Sequence, residues 1–197
     1  MIQASKTALL IIDVQNDFCC TEGALSTLGK DVSAVQHAMP QLKKCIEYCR
    51  EAGMMVIFIQ TEHGPLTDSS VWESRQVNAV KICSTSWGRE FYQVEPKETD
   101  FVVTKHRYSA FIGTNLDLAL RSNGITTIVL TGFTTNVCVE STARDGFMLG
   151  YQTITLSDCT AAFSQAEHDS ALFNLGHYFG RVMSSEELKR EVEAANK

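Results

Sequence analysis

Six short apolar runs recur along the chain, separated for the most part by helix-spaced patterns. They are Ala8 to Ile12, Met54 to Ile59, Phe101 to Val103, Ile125 to Leu130, Tyr151 to Leu156 and Arg181 to Met183. Asp13 ends the first run, Gly53 opens the second, Lys105 closes the third, and Gly124 and Gly132 bracket the fourth. Short apolar runs bounded by turn residues read as strands buried on both faces. Between them, Leu42, Cys45 or Ile46, and Cys49 recur at helical spacing before Gly53, and Pro40 fits the first turn of that helix. Leu116 to Leu120 leads to Gly124, Val137 to Leu149 leads to Gly150, and Ala166 to Gly176 gives a fourth helix. Residues 61–99 hold both tryptophans and no clear period, so they read as a long excursion with one or two short helices. This alternation predicts an α/β fold with a mostly parallel sheet and right-handed crossovers. In such folds ligands sit outside the carboxyl ends of the strands, which is where chemistry is to be sought.

Length and charge narrow the partners. A chain of 197 residues and 21.8 kDa reads as one domain over 1–197. At that mass about 70 % of the extended surface can be buried, enough for one sizeable core. An apolar share of 44 % with 20 % charged residues excludes disordered and low-complexity classes. The net charge of −6 and a pI near 5.4 argue against nucleic acid and anionic membrane surfaces. Lys43-Lys44 is too short a basic cluster to offset it. The longest apolar run, Met54 to Ile59, falls far short of the roughly 18–20 residues that cross a bilayer. Met1 to Lys6 lacks the order of a signal peptide, so a cytoplasmic location is expected. The seven cysteines, an odd count without paired CxxC units, are then free thiols.

Three residues stand at strand ends. Asp13 alone reads as a solvated strand-end carboxylate or helix cap, and Lys105 alone as a surface lysine. Cys138 lies in Thr131-Gly132-Phe133-Thr134-Thr135-Asn136-Val137-Cys138-Val139, which runs from the fourth strand into a helix. A buried cysteine is usually a small hydrophobe. In the first turn of a helix, however, unpaired N–H groups favour its thiolate and can hold a developing oxyanion. Of the other cysteines, Cys45 and Cys49 sit on a helix face, Cys19, Cys20 and Cys83 in loops, and Cys159 after a strand. Taken together, the three residues form a device. A carboxylate takes the thiol proton, a lysine favours the thiolate, and the thiolate attacks an amide carbonyl.

With these residues in view, the sequence resembles the isochorismatase-like cysteine hydrolases. The resemblance is carried by Leu10-Ile11-Ile12-Asp13-Val14-Gln15-Asn16-Asp17-Phe18, by Lys105-His106-Arg107-Tyr108-Ser109-Ala110-Phe111, and by Gly132 to Thr142, and it spans about residues 6–183. It implies a Rossmann-like αβα sandwich on a six-stranded parallel sheet, and an Asp13-Lys105-Cys138 triad. It also implies a cis peptide at Phe133–Thr134 that turns the Thr134 N–H inward to join the Cys138 N–H as an oxyanion hole. Relatives of this kind commonly form homodimers or homotetramers.

Within the family, metal-dependent nicotinamidases carry Asp-x-His-x-x-His after the second strand, where this chain has Thr61-Glu62-His63-Gly64-Pro65-Leu66. One histidine lacks partners at ligand spacing, so no metal and no other cofactor is expected. Isochorismatases proper lack the nucleophilic cysteine. The resemblance is closest to hydrolases of ureidoacrylate and related carbamoyl amides, with biuret and N-carbamoylsarcosine as alternative substrates. Pocket candidates are Phe18, Trp87, Tyr108, Phe111 and Phe133, each of which also suits core packing. Asn16 and Gln165 are candidates to bind a ureido group, and Arg107 to clamp a carboxylate. Two other classes are weighed. A phospho-receiver domain lacks its acceptor Asp here, since the second run ends in Gln60-Thr61-Glu62. An inactive scaffold of the same fold sits poorly with an intact triad.

Overall fold

The computed structural model describes residues 2–75 and 82–195. The strands are β1 (Thr7–Ile12), β2 (Met55–Thr61), β3 (Phe101–Lys105), β4 (Thr127–Phe133), β5 (Gln152–Ala161) and β6 (Arg181–Met183). They form one all-parallel sheet in the order β3-β2-β1-β4-β5-β6. The helices are α1 (Asn16–Cys19), α2 (Ala24–Thr27), α3 (Ser33–Glu51), α4 (Ser70–Arg75), α5 (Ser86–Arg89), α6 (Leu116–Ser122), α7 (Glu140–Met148), α8 (Gln165–Asn174) and α9 (Ser185–Ala195). Thr135–Val139 and Leu175–Phe179 are π-helical turns that precede α7 and follow α8.

The central strand explains the apolar runs. Every residue of β1 is buried, because helices cover both faces of the sheet. Leu9 and Ile11 enter one core with Leu42 and Ile46 of α3 and Leu188 and Val192 of α9. Leu10 and Ile12 enter the other with Leu116 and Leu120 of α6 and Ala143 of α7.

Several expectations are corrected. Pro40 lies inside α3, not in its first turn. The buried stripe already begins at Val35 and continues through Met39. Pro40 itself is exposed, where a carbonyl left without its N–H partner can meet water. Cys159 lies within β5, which runs on to Ala161, and Cys19 belongs to the short helix α1. The C-terminal helix α9 was not expected, although Leu188 and Val192 mark its buried face. The excursion over 61–99 does contain two short helices, α4 and α5, and its residues 76–81 lie outside the described residues. Among the described residues, no helix is long and apolar enough to cross a membrane.

The sheet order reverses direction between β1 and β4, so the crevice at their carboxyl ends is the ligand-binding position of an open α/β sheet. Gly132 lets the two strands approach there. It has φ +95°, and a Cβ built on it would fall 2.0 Å from the Ile12 carbonyl oxygen. Asp13 follows directly, with φ 54°.

Candidate active site

Asp13, Lys105 and Cys138 converge at this crevice from the ends of β1, β3 and β4. Lys105 must reach across two strand spacings, roughly 9–10 Å, and its long side chain suits that span. Its ammonium lies 2.9 Å from Asp13 Oδ2 and 3.5 Å from Cys138 Sγ. It also donates to Thr61 Oγ1 at 2.7 Å and to the Arg107 carbonyl at 3.1 Å. Thr61 in turn donates to Asp13 Oδ1 at 2.8 Å. Thr61 stands opposite Lys105 in the β2–β3 register, so the intervening strand supplies a hydroxyl that joins acid to base. Gln15 pins Thr61 through both backbone groups. Its Oε1 accepts the Thr61 N–H at 2.7 Å, and its Nε2 donates to the Thr61 carbonyl at 3.0 Å. Neither Thr61 nor Gln15 was singled out in the sequence, because their roles depend on strand register.

The electrostatics follow from burial. Asp13 is 0 % and Lys105 1 % exposed, and such charges are stable only as a paired, hydrogen-bonded set. Desolvation pulls the Lys105 ammonium down, but Asp13 and Cys138 outweigh it and hold Lys105 above its ordinary range. Burial, followed by the Asp13 carboxylate, pushes the Cys138 thiol well up, and Lys105 only partly opposes them. That direction favours the protonated sulfur, in keeping with a carboxylate that takes the thiol proton. Asp13 Oδ2 has the ammonium as a charge partner but no donor on a hydrogen-bond axis. That oxygen is open to a proton from the thiol beside it.

Cys138 occupies the π-helical turn, and the Phe133–Thr134 bond ahead of it is cis, as the resemblance implies. The Thr134 carbonyl accepts the N–H groups of Val137 and Val139, both at 3.2 Å. Thr142 donates to the Cys138 carbonyl at 2.7 Å and accepts the Ala110 N–H at 3.0 Å.

Cys138 and Thr134 line a cavity of about 220 Å³. Of the expected pocket residues, Phe18, Tyr108 and Arg107 line it. The other five do not. Phe133 is fully buried in the core, and Phe111 stacks on Tyr151 at 5.9 Å. Trp87 is 41 % exposed, and its carbonyl accepts from Asn16 Nδ2 at 2.9 Å, a tie between α1 and α5. Gln165 is exposed and bonds Asp169 at 2.8 Å. Their places are taken by Trp72, Phe163, Asn136 and Glu167. Trp72 packs against Tyr108 at 4.6 Å and His63 at 5.5 Å, with the Arg107 guanidinium 5.7 Å from its ring. His63, also in the wall, bonds Asp68 Oδ1 at 2.7 Å. The lining carries three cationic side chains, Lys30, Arg107 and the Asp13-paired Lys105, and one carboxylate, Glu167. Among the described residues, no group of three or more His, Cys, Asp and Glu is disposed to hold a metal ion.

An all-parallel six-stranded sheet with this constellation at its switch point defines an isochorismatase-like α/β hydrolase. The isochorismatase domain matches residues 7–187, and the chain belongs to that family. The chain is 34 % identical over 221 residues to the ureidoacrylate amidohydrolase RutB of Stutzerimonas stutzeri (strain A1501), covering 98 % of this chain and 86 % of the relative. Among solved structures, a cysteine hydrolase from Pseudomonas syringae pv. phaseolicola 1448A superposes with a TM-score of 0.91 at 30 % identity, over 98 % of this chain and 95 % of that one. N-carbamoylsarcosine amidase from Thermoplasma acidophilum matches with a TM-score of 0.75 at 30 % identity, over 92 % and 97 %.

Proposed function

We propose that this protein is a cysteine-dependent amidohydrolase of small ureido or carbamoyl amides bearing a carboxylate, with ureidoacrylate as the leading substrate. The chain is a hydrolase of carbon–nitrogen bonds other than peptide bonds. The observation that carries the cysteine reading is the buried contact of Asp13, Lys105 and Cys138 at the base of one cavity. In the proposed sequence Asp13 accepts the Cys138 proton as sulfur attacks the substrate carbonyl. Lys105 offsets the negative charge that forms on sulfur. The backbone N–H groups of Thr134 and Cys138 hold the oxyanion. The carbon–nitrogen bond then breaks, and Asp13 returns the proton to the departing nitrogen. Water attacks the resulting thioester, giving its proton to Asp13, and the carbon–sulfur bond breaks to release the acid. Sulfur recovers the proton as thiol.

The carboxylate preference rests on Arg107 and Lys30 in the lining of a protein whose net charge is −6. An acidic chain that places these two cations, beyond the Asp13-paired Lys105, at one cavity favours an anionic ligand there. The test is ammonia release from ureidoacrylate, biuret, N-carbamoylsarcosine and nicotinamide, with the intact protein and Cys138→Ala side by side. Turnover of ureidoacrylate that vanishes in the variant is the expected result. A preference for uncharged biuret or nicotinamide refutes the carboxylate assignment, and turnover by Cys138→Ala refutes the mechanism.

A further inference from the structure

The turn that carries Cys138 is anchored at its front end by a residue outside the cavity. Thr135 opens that turn and is fully buried. Its hydroxyl meets Nδ1 of His168, on α8, at 2.9 Å. A neutral ring with its proton on Nε2 leaves Nδ1 to accept from the Thr135 hydroxyl, and this is the arrangement the proposal takes. Burial holds His168 below its ordinary range, against the opposing charge of Asp169, and this keeps the accepting form. His168 does not line the catalytic cavity. It opens onto a separate shallow groove beside Ser33 and His37 of α3. Its neighbour Glu167 faces the catalytic cavity instead.

We propose that His168 is a positioning residue that acts through Thr135, fixing the segment from Thr134 to Cys138 on which the nucleophile and the oxyanion donors are carried. The inference rests on the cysteine-hydrolase reading. Because His168 stays clear of the substrate, its loss is expected in the chemical step and not in binding. Misplacement by a fraction of an ångström to 1 Å costs roughly ten- to a hundredfold in rate.

The experiment measures kcat and KM for whichever of the four panel compounds the intact enzyme turns over fastest. His168→Leu is expected to lower kcat about ten- to a hundredfold with KM within about threefold. His168→Asn places an amide oxygen near the Nδ1 position and is expected to recover kcat to within about threefold of the intact enzyme. Thr135→Val keeps the shape, removes only the hydroxyl, and is expected to reproduce the His168→Leu loss. The double variant His168→Leu/Thr135→Val is expected to be no worse than either single one, since both remove the same bond. Unchanged kcat in His168→Leu, a loss confined to KM, failure of His168→Asn to recover, or additive losses in the double variant each overturn the inference. Cys138→Ala runs alongside. If it is inactive while His168→Leu is fully active, the positioning role alone falls. If it turns over substrate, or the intact protein is silent across the panel, the cysteine reading falls and the inference with it.

Discussion

Asp13→Asn separates charge from shape at the centre of the site. The amide keeps an oxygen for the Thr61 hydroxyl, which donates to Asp13 Oδ1 at 2.8 Å. What disappears is the negative charge that helps burial push the Cys138 thiol up. Lys105 remains 3.5 Å from the sulfur and becomes its nearest charge. The thiol pKa therefore falls, and alkylation by iodoacetamide at neutral pH speeds up. Each unit of fall gives tenfold more thiolate, offset by weaker nucleophilicity, for a net gain of roughly three- to fourfold. Turnover is expected to move the opposite way, down by about 10²–10⁴, because the group proposed to accept and return the proton is gone. Lys105 keeps its bonds to Thr61 and the Arg107 carbonyl but loses its charge partner, since the amide NH2 takes the place of the oxygen 2.9 Å from the ammonium. The stability cost is expected to approach the ~3–5 kcal/mol of a buried charge that loses its partner. The assay pairs steady-state turnover with the rate of label incorporation at the Cys138 peptide, read by mass spectrometry. Slower alkylation in Asp13→Asn, or turnover within tenfold of the intact enzyme, would refute the reasoning.

Three further substitutions probe the surroundings. Thr61→Val removes the hydroxyl that joins Lys105 to Asp13. It is expected to cost about 1–3 kcal/mol in urea unfolding, with a clear fall in kcat, and unchanged kinetics would show that the bridge is dispensable. Gly132→Ala forces a Cβ against the Ile12 carbonyl at a φ of +95°, so overpacking and backbone strain together are expected to destabilise by about 3–5 kcal/mol. A denaturation midpoint equal to that of the intact protein would contradict that. Arg107→Gln is expected to raise KM for ureidoacrylate about tenfold or more with little change in kcat, while leaving an uncharged amide unaffected. Equal effects on both substrates would place Arg107 in the wall only.

The legible part of this molecule is what local order encodes. The six apolar runs give the six strands because both faces of the sheet are covered, so no polar alternation interrupts them. Asp13, Lys105 and Cys138 could be picked out because each stands where a strand gives way to a turn or helix, which is readable residue by residue. Thr61 could not, since its place opposite Lys105 depends on how β2 and β3 pair. The cavity wall fails for a related reason. Trp72 and Trp87 lie in one aperiodic excursion, and nothing local says that Trp72 folds over His63 and Tyr108 while Trp87 is spent on a tie to Asn16. The same holds for Phe133 and Phe111, whose motif neighbours reach the cavity while they turn into the core. The helix α9 did carry a signal, Leu188 and Val192 one turn apart behind Glu186 and Glu187. The upward push on the Cys138 thiol had none, because burial and the approach of Asp13 are properties of the assembled site.

The central claim is that substrate becomes covalently attached to Cys138. The direct measurement is rapid acid quench of the enzyme during turnover of ureidoacrylate, followed by digestion and mass spectrometry. The expected result is a transient mass increase on the peptide containing Cys138, equal to the acyl fragment of the substrate and absent from Cys138→Ala. Full turnover with Cys138 unmodified at every quench time, and retained in Cys138→Ala, would contradict covalent catalysis by this residue.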